Sequence, residues 1–581
     1  MDLQKKLNQA LDCCKKNELL QAEKIYLHIL RKYPKNIDAN INLGIIKIQQ
    51  QQFKEAEKYL KAAWAFGKSY NALDNLIIML MQSGDYDQAY ELSQYLKESK
   101  DFFDKAQFYQ ARSLMHLKKI DESLSLYQSL YKKNPENINI LVGYGYVNNL
   151  IGNYNKSKEI YEEALKINPN SFEANYNLGL LYNHGFRNWN ESIKYLDHAA
   201  KINDNLPDLY LTQAVNYKKL RKIETALACC DKAYQLNKNN PFTLFQIGSF
   251  KAQLGCYDEG INWMQEAYKL KPDYYHAPFQ IGLTLLGMSK FKEAHEYYKY
   301  RIKETKVRFN DLDINHLESD KKVLIHWEQG IGDTIFYSKL IHEVNFESLN
   351  VTFVVQNKIT NFIKHNLRNI SNLTVISDSE YQENIEKFLN HVAINMASIT
   401  RYFDPLKKNY EHKFNINYMS KNDHKKLKND KEKIAISWKS TAEKVADDKS
   451  FSILEIIKAV DLNNYELTSI QYGNIDELAN LNKSQIFIDN KIDYFDDIDS
   501  VLKIIESSDI VITCSNTNAH LAGALGKETL LLLPKDFGKI WYWNQLQNQR
   551  SYWYPSIKII KQDRDGDWGN CYKEVTHHLS S

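Results

Sequence analysis

The chain has 581 residues, a length that allows two or three domains. Its 43% hydrophobic and 25% charged residues are typical of soluble globular proteins. Basic and acidic residues number 75 and 72, and a formal net charge of +3 favours neither a nucleic-acid partner nor a membrane surface. Residues 1–8 lack an apolar segment of signal-peptide length, and no later run is long enough for a membrane span. We therefore expect a cytoplasmic protein with no nucleic-acid partner and no membrane span.

The cysteines show no metal-binding spacing. Seven are present, including the adjacent pairs Cys13–Cys14 and Cys229–Cys230. We expect them to be reduced and partly buried.

Residues 3–304 repeat with a period of about 34 residues. Most repeats have two positions that carry small side chains, which two helices need where they cross closely; the third repeat is the least regular. The first small position holds Ala10, Gly44, Ala111, Gly145, Gly179, Ala214, Gly248 and Gly282. The second holds Ala22, Ala56, Ala89, Ser123, Ser157, Ser192, Ala226, Gly260 and Ala294. We expect the second helices to end at Pro34, Pro135, Pro169, Pro241 and Pro272. We expect Tyr26, Tyr127, Tyr161 and Tyr298 to fill the space between repeats.

This period and pattern are those of the tetratricopeptide repeat, and they predict an all-α solenoid of about nine repeats over residues 1–305. A solenoid of this kind offers a groove for a protein or an extended peptide. The alternatives are a spacer or an oligomerisation surface, since no stripe of one charge sign marks the inner face.

After about residue 306 the pattern changes to short apolar runs that alternate with helices, which is typical of parallel α/β sheets. The predicted strands of the first sheet are 323–327, 351–355, 373–376 and 392–394, with a helix over 334–344. A polar hinge is predicted over 421–433. The predicted strands of the second sheet are 433–438, 467–471, 485–488, 509–513 and 529–533.

Three stretches carry residues suited to chemistry. Gly330 and Gly332 allow a tight turn with room for a ligand at the end of the first strand, and Asp333 follows them. Asp333 is a candidate for proton transfer or, alternatively, a helix cap. The charged loop after Trp438 ends in Lys449-Ser, and a solvated loop is the alternative interpretation there.

The third stretch runs from Asp509 to Lys527 and predicts a strand, a polar turn and a helix. Asn516, Thr517 and Asn518 are suited to capping the helix, whose free N–H groups then form a site for a phosphate. His520 lies in the first turn, so we expect its ring to point at the same place. The alternative is an ordinary capped helix with a structural histidine.

The run Cys514–Lys527, followed by Leu-Leu-Pro534, resembles the nucleotide-sugar half of B-type glycosyltransferases. It is most similar to the heptosyltransferase-like domains that follow tetratricopeptide repeats in many bacterial proteins, and the resemblance covers Lys321 to the C-terminus. It implies two Rossmann-like domains, at 320–420 on the acceptor side and 430–581 on the nucleotide-sugar side. It also implies that Trp553–Pro555 and Gly566–Trp568 are packing elements.

The resemblance also implies roles for single residues. Asp333 would be the general base of an inverting transfer. Ser440, Thr441 and Lys449 would hold the donor's pyrophosphate, and Gln471 would contact the base or ribose. The donor is a nucleotide diphosphate sugar, and no other cofactor is implied. No metal is implied either, because the pairs Asp311/Asp313 and Asp563/Asp565 lie outside the predicted strands.

One position departs from the family pattern. Related proteins carry an aspartate, which contacts the donor sugar, where this chain has Ser515. Either the sugar differs or the donor site has decayed. The sequence therefore supports two functions. One is a metal-independent glycosyltransferase whose acceptor, for example a protein, is presented by the repeats. The other is a non-catalytic repeat scaffold with a degenerate transferase fold.

Overall fold

The computed structural model describes residues 2–301, 321–341, 349–402, 431–440, 446–473, 485–535, 540–543 and 548–581. Contacts divide the chain into two compact units, Met1–Asn237 and Lys238–Ser581.

The first unit consists of antiparallel helix pairs. Its helices are α1 (Asp2–Lys15), α2 (Leu19–Lys32), α3 (Ile37–Gln49), α4 (Phe53–Gly67), α5 (Tyr70–Ser83), α6 (Tyr86–Leu96), α7 (Phe103–His116), α8 (Ile120–Lys133), α9 (Ile138–Leu150), α10 (Tyr154–Ile167), α11 (Phe172–His184), α12 (Trp189–Ile202), α13 (Pro207–Lys219) and α14 (Ile223–Leu236), with a 3₁₀ turn at Lys100–Phe102. The prediction of a helical repeat solenoid is confirmed here.

The small residues lie where the two helices of a pair cross. A Cβ atom built on Gly179 would lie 2.8 Å from the Leu196 side chain, so a larger residue there would push the helices apart. The serines of the second small position add a hydrogen bond to this crossing: Ser157 Oγ donates to the Gly145 carbonyl at 2.8 Å. Ser192 Oγ does the same to Gly179 at 2.6 Å. Its small size and this hydrogen bond together explain why serine can replace alanine at the second small position.

The second unit begins with two further helix pairs. They are α15 (Pro241–Gln253), α16 (Tyr257–Leu270), α17 (His276–Gly287) and α18 (Phe291–Tyr298). With the first unit they make nine pairs within the described residues, as the period predicts. Pro241 is a correction, because it opens α15 as the first helical residue instead of ending α14.

A four-stranded parallel sheet follows, which we call the first α/β region. It comprises β1 (Lys322–His326), α19 (Ile331–Ile341), β2 (Asn350–Val355), α20 (Thr360–Leu367), β3 (Leu373–Ser377), α21 (Asp378–Glu383) and β4 (Val392–Asn395), with 3₁₀ turns at Asn357–Ile359, Ile385–Phe388 and Met396–Tyr402. The strand order is β3-β2-β1-β4. The helix predicted from residue 334 begins three residues earlier, so Asp333 lies inside its first turn.

The second α/β region contains a five-stranded parallel sheet. It comprises β5 (Glu432–Ser437), α22 (Ala446–Lys449), α23 (Ile453–Ala459), β6 (Tyr465–Ser469), α24 (Ile498–Ser507), β7 (Ile510–Cys514), α25 (Thr517–Ala524), β8 (Glu528–Leu533), β9 (Ile557–Lys561) and α26 (Gly569–Ser580). The order is β6-β5-β7-β8-β9.

The strand predicted at 485–488 is wrong: only Phe487 pairs there, in a single bridge with Thr468. Strand β9 was not predicted. Residues 421–430 of the predicted hinge, and Asp311 and Asp313, lie outside the described residues.

Within the second unit a buried ion pair joins the last repeat to the first α/β region. The Arg301 guanidinium donates to both carboxylate oxygens of Glu328, at 3.3 and 3.2 Å, and the two side chains are 1% and 2% exposed. Arg301 also donates to Ser398 Oγ at 2.8 Å and lies 4.9 Å from the centre of the Tyr298 ring. One hydrophobic core runs from α16–α18 into both sheets. The last two repeats therefore share a core with the α/β regions, while the domain limits at 305, 320–420 and 430–581 stay predictions.

Candidate functional site

A cavity of about 230 Å³ lies where strands of both sheets end. Gly330 follows β1, Ser440 follows β5, Tyr472 follows β6 and Ser515 follows β7, so four carboxyl ends face it. Its lining residues are Gly330, Ile331, Gly332, Asp333, Ser440, Lys449, Tyr472, Ser515, Asn516, Thr517, His520, Ile540 and Tyr542. Nine of the residues singled out from the sequence are thus brought together here, although they are spread from Gly330 to His520 in the chain.

Asp333 occupies the first turn of α19. Its carboxylate accepts a hydrogen bond from the Gly330 N–H at 3.0 Å, which is the backward half of a capping box. Burial raises the pKa of Asp333 from 3.8 to about 6, although the Gly330 N–H, the Tyr542 hydroxyl and the charge of Lys449 all act to lower it. Asp333 is therefore both a capping group and a carboxylate whose pKa lies near neutral pH, which suits a general base.

Gly332 permits helices α19 and α25 to approach each other. A Cβ atom at Gly332 would lie 2.7 Å from Cδ2 of His520. The space beside Gly332 is thus filled by the His520 side chain of the second α/β region. Gly330, the other glycine of the turn, has more open space around it.

His520 is buried among aromatic rings. Its Nδ1 lies 3.1 Å from the Tyr554 hydroxyl, and the centre of its ring is 4.8 Å from that of Trp543. Burial, together with the positive charge of Lys449, lowers the pKa of His520 to about 3. His520 lines the cavity as predicted, but as a neutral ring at physiological pH.

The turn between β7 and α25 is organised by Asn516. The side-chain oxygen of Asn516 accepts from the N–H groups of Asn518 and Ala519, at 3.0 and 3.3 Å, which confirms the predicted helix cap. Asn518 instead donates to the Ile470 carbonyl at 2.8 Å and does not line the cavity. Ser515 Oγ accepts from Trp543 Nε1 at 2.9 Å.

Lys449 is the cation of the cavity. It is 5% exposed, and burial lowers its pKa. Asp333 and Cys514 act in the opposite direction, yet within the described part of the chain no hydrogen bond or ion pair reaches the Lys449 ammonium group. A buried unpaired cation is costly unless an anion joins it, so Lys449 favours an anionic ligand.

Gln471 is held by backbone groups. Its side-chain oxygen accepts from the N–H groups of Trp438 and Lys439, both at 2.8 Å. Its amide nitrogen donates to the carbonyls of Lys439 and Tyr472, at 3.3 and 2.7 Å. The predicted contact of Gln471 with a base or ribose has no side-chain atom left to make it. Thr441 lies outside the described residues.

Sequence reasoning missed the aromatic residues that close the site. Tyr542 bonds to Asp333, Trp543 bonds to Ser515, and Tyr554 bonds to His520. The signal was present as a cluster of aromatic residues between 541 and 554. Trp553 and Tyr554 are buried and pack against both regions, which agrees with their predicted packing role.

Comparison with known proteins identifies the repeats. Models described as tetratricopeptide repeat match residues 105–137, 138–171, 160–193, 207–240 and 243–274. The N-terminal part of the chain, about 280 residues, is therefore an array of tetratricopeptide repeats. Arrays of this type bind proteins or peptides on an extended surface.

Several curated proteins are similar in sequence. Protein FlbA of Caulobacter vibrioides is 23% identical over 443 residues, which span 71% of this chain and 67% of FlbA. Anaphase-promoting complex subunit 3 of Schizosaccharomyces pombe is 24% identical over 145 residues, or 25% of this chain and 22% of that protein. BBSome complex member BBS4 of Bos taurus is 24% identical over 209 residues, or 36% of this chain and 40% of that protein. The chain thus spans between 22% and 67% of these relatives.

Two solved structures show partial likeness. A tetratricopeptide repeat protein from Parabacteroides merdae aligns with 42% of this chain and 97% of its own, at 16% identity and a TM-score of 0.38. YrrB, a tetratricopeptide repeat protein with an unusual peptide-binding site, aligns with 30% of this chain and 91% of its own, at 20% identity and a TM-score of 0.28. Among the residues that the structure describes, no helix has the length and apolar character to cross a membrane.

Proposed function

We propose that this chain is a scaffold whose repeats hold a protein or peptide partner. The observation that carries the proposal is the residue directly after the first small position, which is apolar and not fully buried in most repeats of the first unit. These residues are Leu11, Ile45, Tyr146, Leu180 and Val215. A row of apolar side chains at equivalent positions of neighbouring repeats is a surface suited to an extended polypeptide.

The double variant Leu180→Glu/Val215→Glu is expected to lose at least about fivefold in partner binding, because charge at the centre of an interface is costly. The measurement is capture of partner proteins from a lysate of the source cells by the immobilised full chain, with each partner quantified by mass spectrometry. Lys194→Glu adds the same charge type at a site on α12 that is 67% exposed, and it is the matched control. Equal capture by all three proteins would contradict a partner surface on the first helices.

The second candidate function is glycosyl transfer from a nucleotide diphosphate sugar at the cavity. The observation that favours it is that the cavity holds both Asp333, whose pKa lies near 6, and Lys449, a cation that forms no ion pair with any residue the structure describes. The start of α25 adds the positive end of a helix dipole, although the Asn516 side chain already accepts from the Asn518 and Ala519 N–H groups. Against this candidate stands Ser515, which bonds to Trp543 and supplies no carboxylate for a sugar.

These groups are suited to an inverting displacement. Asp333 would take the proton of an acceptor hydroxyl while the acceptor oxygen attacks the anomeric carbon. The bond from that carbon to the diphosphate breaks, and the electron pair leaves with the diphosphate. Lys449 and the start of α25 would then hold the charge that develops on the leaving group, as fixed positive groups do without a metal.

Lys449→Met is expected to weaken binding of nucleoside diphosphates by about 10- to 100-fold, since a hydrogen bond to a charged group contributes about 1.5–3 kcal/mol. Calorimetry with UDP, GDP and ADP measures this, and EDTA is expected to leave the affinity unchanged. Lys458→Met, at a lysine that is 70% exposed on α23, is the control. If the wild-type chain binds none of these three nucleotides, the donor site is absent, and the scaffold is the one proposed function that remains.

A further inference from the structure

A second cavity, of about 380 Å³, lies beside the last two repeats. Its walls come from the first helices of those repeats, α15 and α17, from Tyr257 at the start of α16, and from Ile540 and Trp541 of the second α/β region. Ile540 also lines the first cavity, so the two cavities share a wall residue. The volume of the second cavity falls within the roughly 300–1,000 Å³ that is usual for pockets enclosing a small molecule.

The second cavity is lined by uncharged groups. Its helices contribute the hydrogen-bonding side chains of Ser249, Gln253, Gln280 and Thr284, and no described residue that lines it carries a charge. The first cavity differs, because it holds both Lys449 and a carboxylate. A phosphate or a carboxylate would find no charged partner among the lining residues of the second cavity, whereas an uncharged polar molecule would find several hydrogen-bonding groups.

Three of these polar groups are available to a ligand. The side-chain amides of Gln253 and Gln280 and the hydroxyl of Ser249 form no hydrogen bond to any residue that the structure describes. Ser249 is only 5% exposed, and a buried hydroxyl is costly without a hydrogen-bond partner. A glutamine amide both donates and accepts, and so do the hydroxyl groups of a sugar.

Trp541 gives the second cavity an aromatic wall. Its ring is half-buried, and the centres of the Phe336 and Trp553 rings lie 5.6 and 6.3 Å from its own, with their planes nearly perpendicular to it. These contacts hold the indole in place. A pyranose ring has an apolar face of C–H groups, which packs on an aromatic ring, and a rim of hydroxyl groups. A fixed indole beside two free glutamine amides is therefore suited to a saccharide.

The position of Ser249 distinguishes the second cavity from the proposed partner surface of the first unit. Ser249 directly follows the first small position of its repeat, where the first unit has Leu180 and Val215. Leu283 is apolar again one repeat later, so the row of apolar residues is interrupted at Ser249. An extended polypeptide is favoured by an uninterrupted row, and a compact polar ligand is favoured where a hydroxyl replaces an apolar side chain.

We propose that the second cavity binds an uncharged saccharide, with one sugar ring on Trp541 and its hydroxyl groups bonded to Ser249, Gln253 and Gln280. A saccharide that extends past Ile540 reaches the first cavity and serves there as the acceptor. One of its hydroxyl groups gives its proton to Asp333, the oxygen bonds to the anomeric carbon of the donor, and the diphosphate leaves with the electron pair. The acceptor role rests on the second proposed function, and the saccharide site itself does not.

The test is saturation-transfer-difference NMR of the full-length chain with maltose, cellobiose, lactose and N,N′-diacetylchitobiose, without nucleotide. The wild type is expected to bind at least one of these disaccharides. Gly287→Phe is expected to lower that affinity at least about tenfold, since Gly287 lines the cavity and a Cβ atom there meets only open space, so the new ring fills the cavity without a clash.

A second variant removes polar groups without filling the cavity. Gln253→Ala/Gln280→Ala should weaken binding by about 5- to 100-fold, as expected for two hydrogen bonds. It should fold as the wild type does, because neither amide bonds to any described residue.

Two matched controls lie outside the cavity. Lys269→Phe adds the same ring at a residue of α16 that is 68% exposed, and Gln235→Ala removes an exposed amide of α14. Neither should change the affinity. Binding of none of the four disaccharides, or equal binding by the wild type and both cavity variants, would overturn the proposal. So would a peptide of Gly, Ser and Thr residues that binds the wild type but not Gly287→Phe while no saccharide binds, because the cavity would then be a peptide site.

The saccharide site and the donor site can fail separately. If the two cavity variants lose saccharide binding while the wild type binds none of UDP, GDP and ADP, the saccharide site stands and its acceptor role falls. If the wild type binds a nucleotide but no saccharide, the donor site stands and the saccharide site falls.

Discussion

Asp333→Asn is expected, under the glycosyl-transfer proposal, to lower the transfer rate by about 10²–10⁴-fold, because an amide cannot take the proton of the acceptor. Donor affinity should stay close to that of the wild type, since the amide oxygen still accepts the Gly330 N–H. In the wild type the rate should rise with pH through about 6, where the carboxyl group ionises, and level off above that value. The measurement is a pH–rate profile of both proteins with the donor that calorimetry identifies.

The same variant is expected to be more stable than the wild type at neutral pH. The pKa of Asp333 is raised from 3.8 to about 6, so between these values the folded protein binds more protons than the unfolded chain, and the free energy of unfolding falls as pH rises. Above pH 6 the ionised carboxylate costs at most about 3 kcal/mol. Asn carries no such cost, so its advantage should grow from pH 4 to pH 6 and then stay constant.

A matched control is Glu380→Gln, which removes a half-exposed carboxylate of α21. It should leave the rate of glycosyl transfer unchanged. A normal rate in Asp333→Asn, together with the gain in stability, would reduce Asp333 to a capping residue and leave the catalytic base unidentified.

Arg301→Met is expected to destabilise the second unit by about 3–5 kcal/mol, because it leaves the Glu328 carboxylate buried without its cation. The Ala397 N–H still bonds to that carboxylate but carries no charge to balance it. Hydrogen exchange in β1 and α18 of the full chain reports the loss locally, so no two-state assumption is needed for a chain of several units.

Two further variants isolate the ion pair. Lys299→Met removes a cation two residues away that is 44% exposed, and it should cost nothing measurable. The double variant Arg301→Met/Glu328→Leu replaces both charges by apolar groups and should recover most of the stability. If the double variant is as unstable as Arg301→Met, packing of the long side chain and not charge accounts for the loss.

The repeat half could be predicted from the sequence because its determinants are local. Small residues at a fixed period specify where two helices cross, and Ser157 and Ser192 fulfil the same steric rule with an added hydrogen bond. Strand β9 escaped prediction because its sequence, Ile557-Lys-Ile-Ile-Lys, is short and carries a lysine at two of its five positions. The reverse error is at 485–488, where the run lies beside the edge strand β6 but only Phe487 pairs with it. An apolar run next to a free sheet edge is therefore not sufficient to form a strand.

The site could be predicted in part for the same reason. Strand ends and helix starts are read locally, so Gly330–Asp333 and Ser515–Thr517 were found, and the structure brings them to one cavity. The charge state of His520 depends on rings distant in sequence, Trp543 and Tyr554, and on Lys449. The four hydrogen bonds that the Gln471 side chain makes to backbone groups depend on the fold of the 438–440 segment. Contacts between residues that are far apart in the chain cannot be predicted from a local sequence pattern.

The burial of Arg301 has a consequence for how such proteins diversify. A repeat array gains or loses members by duplication, and each new member needs only a compatible neighbour. Here the last two pairs share a core with the sheets, so insertions that keep function are expected on the N-terminal side of Asn237. The reach of the partner surface can then change by whole repeats while the cavity keeps its geometry. Partner choice and cavity chemistry are thereby free to evolve separately.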